Sequence, residues 1–577
     1  MARHIVIIGA VALGPKAAAR FKRLEPDARV TLVDKAATIS YGGCGIPFFV
    51  GGDVSDIDQL RTTAFHMIRD EAFFRATKGV DVRTQTEATA IDRAARTVTL
   101  RHLPTGREEA LPYDKLVLAT GSTPNRLPVP GADLPGVFSV HGLDCAQDIR
   151  ALVAAGGVER AVVVGAGFIG LEMAVALADM WGIEVTVLEL CEQILPGVAG
   201  GNLAAMARRH MEAKGVSFRL GANVRSLEAG QDGRVARVVT EAEVLQAQLV
   251  ISAVGVRPNS WLARQAGLNV SERGGIRVDE FLRTSDPDIF AGGDCVELTH
   301  RITGAPAYLP LGSLANRQGR VIGTNLAAGD EKDMTPFPGA VGSWCVGLFD
   351  KAAAGTGLTL SAARAAGLDA LCVHVSQLDR AHFHPDKKPM SLELVVQRGT
   401  GRVLGMQGLG AAGDALVGRV DTVAALLPHG VTASDLAGLE MAYSPPFAAA
   451  LDILNVLGGA AENILAGRNR GIHADEFASL WAGRVASNGD GPVFLDCRER
   501  SNAEDLLTRH PAHWRNIPQG ELAGRLAELP RNRPIVLVCN TGARAYESFV
   551  TLAHHGFRDV VCVEGGMTAI MAAGRGL

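Results

Sequence analysis

The sequence predicts an α/β chain of several domains, and three observations carry that expectation. Residues 4–34 read as an apolar strand, a glycine turn, a helical pattern and a second strand. The same order returns at 161–189, with a valine-rich strand and a fuller glycine motif. A further α/β pattern of short buried strands starts at Gly471-Ile472-His473. A chain of 577 residues has room for roughly three to five domains.

Composition narrows the class. Hydrophobic residues make up 47% and charged residues 20%, the balance of a globular protein with ample core. The formal net charge is -4 and no Lys/Arg block occurs, which argues against nucleic acid or an anionic membrane as a partner. The cysteines, 9 in all, are scattered, without the close pairs of a zinc site or a disulfide framework. Thiol chemistry in the cytoplasm, with no metal, fits that usage. Arg3-His4 and the apolar run 5–13 could pass for a short signal segment. The run leads into Gly14-Pro15-Lys16 and a helical pattern, so strand, turn and helix is the better account. The apolar stretch 161–190 is broken by Glu172, Asp179 and glycines, short of the ~20 uninterrupted residues of a membrane span.

Taken in order, Gly9-x-x-x-x-Gly14 keeps the outer glycines of the dinucleotide fingerprint, with Val11 at its second position. Glycine lets the main chain approach a pyrophosphate, whose charge faces the helix N-terminus. Asp34 ends the second strand where a ribose-binding carboxylate belongs. The stretch Ile39-Ser40-Tyr41-Gly42-Gly43-Cys44-Gly45-Ile46-Pro47 then places one cysteine in a glycine-rich turn. Beside a bound flavin and a helix N-terminus, the Cys44 thiol is expected to ionise more readily; the alternative is a buried apolar cysteine.

The second fingerprint, Gly165-Ala166-Gly167-Phe168-Ile169-Gly170, is complete, and the strand after it ends at Glu189. The Glu189 carboxylate suits a ribose 2′-hydroxyl and repels a 2′-phosphate, and Leu190-Cys191 brings no arginine. NADH is therefore expected over NADPH. Two such folds predict a flavin site and a nicotinamide site, the arrangement a hydride relay needs.

Three further segments belong with these folds: Leu116-Val117-Leu118-Ala119-Thr120-Gly121-Ser122, Ala253-Val254-Gly255-Val256-Arg257-Pro258-Asn259, and 284–294 ending in Asp294. Together the residues resemble the two-dinucleotide-fold pyridine nucleotide–disulfide oxidoreductases over about residues 1–450. The resemblance implies two Rossmann-like domains: a discontinuous FAD-binding domain, 1–150 and 266–330, and an NADH-binding domain, 151–265. It implies FAD contacts at Gly9, Gly14, Asp34, Lys35, Ala88, Thr120, Gly121 and Asp294, the last on the ribityl chain. NADH contacts are implied at Gly165, Gly167, Gly170, Glu189 and Gly255. Residues 331–450 are expected to form an α+β interface or dimerisation domain.

Within that family the cysteine pattern selects a branch. No second cysteine follows Cys44 until Cys145. A lone redox cysteine cannot close an internal disulfide, so its oxidised form is a sulfenic acid, or a mixed disulfide or persulfide with a small molecule. Ser40-x-x-x-Cys44-Gly45-x-Pro47 resembles the signature of coenzyme A-disulfide reductases and their persulfide-reducing relatives. NADH oxidases and peroxidases usually carry a histidine in the first glycine turn, and none lies between Gly9 and Gly14. The resemblance implies coenzyme A contacts at Arg20, Arg23 and Ser40, and a homodimer in which Tyr443 reaches toward the partner's redox cysteine. Two positions depart from the pattern: Gly43 replaces the usual asparagine, and Phe383-His384-Pro385 lacks an expected tyrosine. A solvated helix end is the competing account of Arg20 and Arg23, and a turn residue that of Tyr443.

A helix and a Gly/Asn/Arg linker are expected at 451–470, then an α/β rhodanese domain at 471–577. Cys539 heads the loop Cys539-Asn540-Thr541-Gly542-Ala543-Arg544. Successive N–H groups and a helix start form an anion nest for a thiolate or persulfide, with Arg544 as a fixed cation. Only Asn516-Ile517-Pro518 remains of the usual upstream text, and Cys497 and Cys562 read as core.

The sequence thus leads to NADH- and FAD-dependent reduction of persulfide or polysulfide sulfur, such as coenzyme A persulfide, through Cys44, with Cys539 supplying sulfane sulfur. Coenzyme A-disulfide reduction is the alternative, and a flavin redox sensor with an inert rhodanese module is an alternative of another class.

Overall fold

The computed structural model describes residues 3–484 and 491–574, and the chain divides into two compact units, 1–190 with 222–342 and 191–221 with 343–577. The expected α/β class holds in both.

The first unit contains two parallel sheets. One has five strands in the order Ile289–Ala291, Lys115–Leu118, His4–Ile8, Arg29–Val33 and Asp81–Arg83. Ile5, Val6 and Ile7 are fully buried, as expected where helices cover both faces of a parallel sheet. The helix Leu13–Leu24 covers one face through Leu13, Ala17, Ala18 and Phe21, the three- and four-residue spacing of a single helical face. Against it lies the helix Gly312–Asn325. A Cβ at Gly319 would stand 2.7 Å from the Leu13 carbonyl oxygen, and one at Gly323 2.6 Å from that of Ala17. These two glycines let the helix backbones nearly touch.

In the other sheet Glu184–Leu188, Arg160–Val164, Leu249–Ser252 and Val137–Ser139 run side by side and parallel. Each sheet is accompanied by a three-stranded antiparallel sheet, Thr86–Asp92 to Glu108–Pro112 in one case and Val224–Ala229 to Val244–Gln246 in the other. The segments that leave the two parallel sheets pair with each other, Ser122–Pro124 antiparallel to Val256–Pro258. Asn259 locks this ladder: its side chain donates to Thr120 O (2.9 Å) and accepts from Thr123 Oγ1 (2.7 Å), while its carbonyl accepts from Thr120 Oγ1 (2.6 Å).

The second unit holds a five-stranded antiparallel sheet, ordered Trp344–Leu348, Lys351–Gly357, Val403–Ala411, Pro389–Gln397 and Ala370–Leu378. The expected linker begins as the helix Ile453–Leu465, which buries Ile453, Leu454, Leu457 and Ala461 and packs on this sheet. Asp452 caps that helix in a reciprocal box with Asn455 and pairs with the buried Arg419, Nη2 to Oδ2 at 2.5 Å. A second sheet, all parallel, runs Gly471–Ile472, Val560–Val563, Ile535–Val538, Val493–Asp496 and Trp514–Asn516.

A buried polar seam joins these two sheets within the unit. The Glu564 carboxylate accepts the His374 N–H at 2.6 Å and pairs with His473 Nε2 at 3.2 Å. His374 Nδ1 lies 3.6 Å from Glu393 and 3.2 Å from the Asn202 amide. Burial alone would raise Glu393, but His374 and His473 hold its carboxyl below the usual range. Burial opposes charge on His473 too, and its pairing with Glu564 nonetheless lifts it from 6.5 to about 9.

Candidate active sites

Cys44 sits in a 3-10 turn, Gly43–Gly45, ahead of the short helix Ile46–Val50. The turn is held by Ser40, whose left-handed backbone (φ 51) brings its N–H to Ala10 O at 2.8 Å, and by Gly42 N–H on Leu60 O, also at 2.8 Å. The thiol is exposed, and a Cβ at Gly312 would lie 3.8 Å from its sulfur. Its ionisation departs from expectation. Burial by the surrounding protein, then the carboxylates of Glu172 and Asp294, push the Cys44 thiol up, and only its own backbone N–H works the other way. A helix of 5 residues has little dipole to oppose two carboxylates.

Glu172 was not singled out as a site residue by the sequence. It follows the second glycine motif inside the helix Phe168–Asp179, and burial raises its carboxyl from 4.5 to about 7. A carboxylate within an otherwise apolar helix is the signal that could have found it.

The two glycine turns have the same construction. The Gly9 N–H donates to Val33 O and the Gly165 N–H to Leu188 O. A Cβ at Gly9 would fall 2.1 Å from Ala119 O, and one at Gly165 2.3 Å from Ala253 O. Gly14 and Gly170 meet the carbonyls of Gly9 and Gly165 in the same way, each at 1.9 Å. Gly167 differs, because a Cβ there would meet no protein atom within 4 Å. Its missing side chain leaves room in front of the helix rather than inside the packing, as the approach of a dinucleotide phosphate requires.

The two strand-end carboxylates also correspond. Asp34 accepts the Ala10 N–H at 2.7 Å and the Ala36 N–H at 2.8 Å, while Glu189 accepts the Ala166 N–H at 2.7 Å. Burial raises Asp34 despite those donors. Asp294 accepts the Ser122 hydroxyl at 3.1 Å, and burial raises it as well. Gly121 and Gly255 take positive φ at the ends of the exit segments. Lys35 is exposed and Ala88 is buried in the strand Thr86–Asp92. Arg20 Nε donates to Thr324 Oγ1 at 3.0 Å, which fixes the guanidinium at the helix pair; Arg23 is exposed one turn on.

In the second unit Cys539 follows the strand Ile535–Val538. Its sulfur receives the N–H groups of Gly542 at 3.1 Å and Ala545 at 3.4 Å. The carbonyls of this loop point the other way: Cys539 O accepts from Met567 N–H at 2.8 Å and Asn540 O from Thr568 N–H at 3.0 Å. Donors therefore face the sulfur, a nest for negative charge on a thiolate or persulfide. Arg544 is half-buried in the first turn of the helix Ala543–His554. Asn516 bonds Asp496 O and Arg498 O, which gives that residue a structural task. Cys497 and Cys562 are buried, as expected. Tyr443 is 49% exposed and Phe383 63%. Cys44, Asp294 and Glu172 thus belong to one unit, and Cys539, Arg544 and Tyr443 to the other.

Among the described residues no helix is long and apolar enough to cross a membrane, and no cluster of three or more His, Cys, Asp or Glu is placed to hold a metal.

Comparison with known proteins agrees with this layout. A structure of a NAD-dependent persulfide reductase from A. fulgidus is 38% identical with a TM-score of 0.90, covering 98% of this chain and 99% of that one. The reduced CoADR-RHD of Bacillus anthracis is 30% identical with a TM-score of 0.89, covering 99% and 98%. The NAD(P)H coenzyme A polysulfide/persulfide reductase of Pyrococcus horikoshii is 34% identical over 457 residues, 79% of this chain and 98% of its own. Family models match residues 3–314 as pyridine nucleotide-disulphide oxidoreductase, 345–454 as its dimerisation domain and 483–573 as a rhodanese-like domain. With paired dinucleotide turns, a lone Cys44 and a second cysteine in an anion nest, this chain belongs to the pyridine nucleotide-disulphide oxidoreductases and carries a rhodanese-like domain.

Proposed function

We propose that the protein reduces persulfide and polysulfide sulfur to sulfide, with Cys44 as the reducing thiol and Cys539 as the collector of sulfane sulfur. The observation that carries this reading is the nest at Cys539, where Gly542 and Ala545 aim N–H groups at the sulfur, in a chain whose other redox cysteine has no neighbour to pair with. The relatives named as persulfide reductases support it.

FAD and NADH, when bound, supply the electron pair. The protein's residues hold and orient them: the turn 9–14 with Asp34, Lys35, Ala88, Thr120, Gly121 and Asp294 for the flavin dinucleotide, and the turn 165–170 with Glu189 and Gly255 for the nicotinamide dinucleotide. These fits follow the open space at Gly167 and the two strand-end carboxylates. The Cys44 thiolate attacks the outer sulfur of a persulfide R–S–SH. A Cys44–sulfur bond forms, the inner S–S bond breaks and the thiol R–SH leaves. Two electrons and a proton then release sulfide and restore the thiolate. Arg20, Arg23 and Ser40 would bind a coenzyme A carrier. Tyr443 would complete the site across a homodimer through the dimerisation domain, in the cytoplasm. We take the domains as 1–150 with 266–330, 151–265, 331–450 and 471–577.

Coenzyme A-disulfide reduction is the second reading, favoured by the same lone thiol, which can equally hold a mixed disulfide. Steady-state NADH oxidation with coenzyme A persulfide, coenzyme A disulfide and polysulfide, with sulfide assayed, separates the two. The persulfide should turn over fastest, and equal rates on the disulfide would favour the second reading. Cys44→Ser should abolish sulfide release from every substrate. Cys539→Ser should lower only the use of thiosulfate-like donors. Undiminished release from Cys44→Ser would overturn the mechanism.

A further inference from the structure

The rhodanese-like sheet contains a pairing that its sulfur chemistry does not use. The strands Val493–Asp496 and Ile535–Val538 are parallel neighbours with Asp496 opposite Val538. The register continues one residue further, because Cys497 N–H donates to Val538 O at 2.8 Å. Cys497 therefore stands opposite Cys539. Side chains alternate along a strand, and Leu495, Cys497, Leu537 and Cys539 all enter the same apolar cluster. The two thiols thus leave adjacent strands on one face. Neighbouring strands lie about 4.8 Å apart, within the ~4.4–6.8 Å Cα separation a disulfide accepts.

Cys562 occupies the same cluster but not the same position. Its register partner is Leu537, two residues before Cys539, which sets it about 8 Å away diagonally and outside that separation. Only Cys497 has the place of a partner.

We propose that Cys497 is the resolving thiol of Cys539, so that the rhodanese-like site closes an internal disulfide when a hydroperoxide reaches it. In the first step the Cys539 thiolate attacks the peroxide. An S–O bond forms, the O–O bond breaks, and the sulfur loses two electrons to give a sulfenic acid and hydroxide. In the second step the Cys497 sulfur displaces the hydroxyl. The S–S bond forms, the S–O bond breaks, and the thiol proton leaves with the hydroxyl as water. Two equivalents of an added thiol reverse the bridge by exchange. Without a resolving thiol the sulfenic acid proceeds to the irreversible sulfinic acid.

The resting state of Cys497 suits this task. Burial, and the negative charge of Cys539 beside it, push its thiol up to about 12. It is therefore protonated at neutral pH and a poor nucleophile toward a persulfide held on Cys539. A sulfenic acid is the better electrophile, and the fixed juxtaposition raises the effective concentration of the attacking thiol.

The test treats the full-length protein with a small excess of hydrogen peroxide, then blocks free thiols and digests without reductant. Wild type and Cys562→Ser should give the peptide pair linked through Cys497 and Cys539 and regain sulfurtransferase activity with dithiothreitol. Cys497→Val, close in volume, should give Cys539 sulfinic acid instead and recover roughly tenfold less activity. Absence of the linked pair from oxidised wild type would overturn the proposal, as would equal recovery by Cys497→Val. The peptide readout is independent of whether Cys539 carries sulfur, so it stands apart from the sulfide-release assays.

Discussion

Cys44 is held in a turn that exposes its sulfur while two distant carboxylates oppose its ionisation. The turn was legible in the sequence, since glycines flank the cysteine and Pro47 starts a helix. The electrostatics were not, because Glu172 and Asp294 come from segments that meet only in the fold. Removing one like charge should ease thiolate formation. Glu172→Gln is therefore expected to move the pH profile of Cys44 alkylation to lower pH, making the reaction at least about threefold faster at pH 7.5. In the wild type the Glu172 effect should fade below about 7, where that carboxyl becomes protonated. Mass spectrometry of the Cys44 peptide after timed alkylation measures both, and overlapping profiles for the two proteins would refute the role given to Glu172.

At the scale of elements, the strand–turn–helix units were readable because buried parallel strands and glycine turns leave local marks. The close contact between helices Leu13–Leu24 and Gly312–Asn325 left only two glycines four residues apart, which the sequence offered no reason to notice. At Gly323 a Cβ would stand 2.6 Å from the Ala17 carbonyl and 2.7 Å from the Arg20 Cβ. Gly323→Val should force the helices apart and cost about 1–3 kcal/mol or more. Gly329→Ala, where a Cβ meets nothing within 4 Å, should leave stability within about 0.5 kcal/mol of wild type. Thermal unfolding of the two variants beside wild type checks the contrast; similar midpoints for all three would show that the helices tolerate separation. The capped helix Ile453–Leu465 is a second case: its sequence was read as the start of a linker, and burial against the sheet before it decided otherwise.

For the whole molecule, the order of domains was legible from motifs and the seam inside the second unit was not. His374, Glu393, His473 and Glu564 are far apart in sequence, and each alone reads as an ordinary polar residue. Their pairing makes stability depend on pH. His473 rises from 6.5 unfolded to about 9 folded, so its contribution is complete below 6.5 and is lost as pH rises through about 9. The shift corresponds to at most about 3 kcal/mol. Chemical unfolding at pH 6.5 and 9.5 should show wild type losing up to about that amount. His473→Gln should show a much smaller difference, and an equal loss in both proteins would place the titrating group elsewhere.

The same seam bears on modularity. The P. horikoshii reductase matches 457 residues of this chain over 98% of its own length, so a reductase of that size exists without the terminal domain. Here, however, the Glu564 carboxylate covers the His374 N–H in a buried position. Cutting this chain near residue 470 would therefore not regenerate such an ancestor. It would uncover His374 and remove one of the two histidines that stabilise the buried Glu393 charge, a cost that sequence drift must have installed after the fusion and that now makes the joining of the two genes hard to reverse.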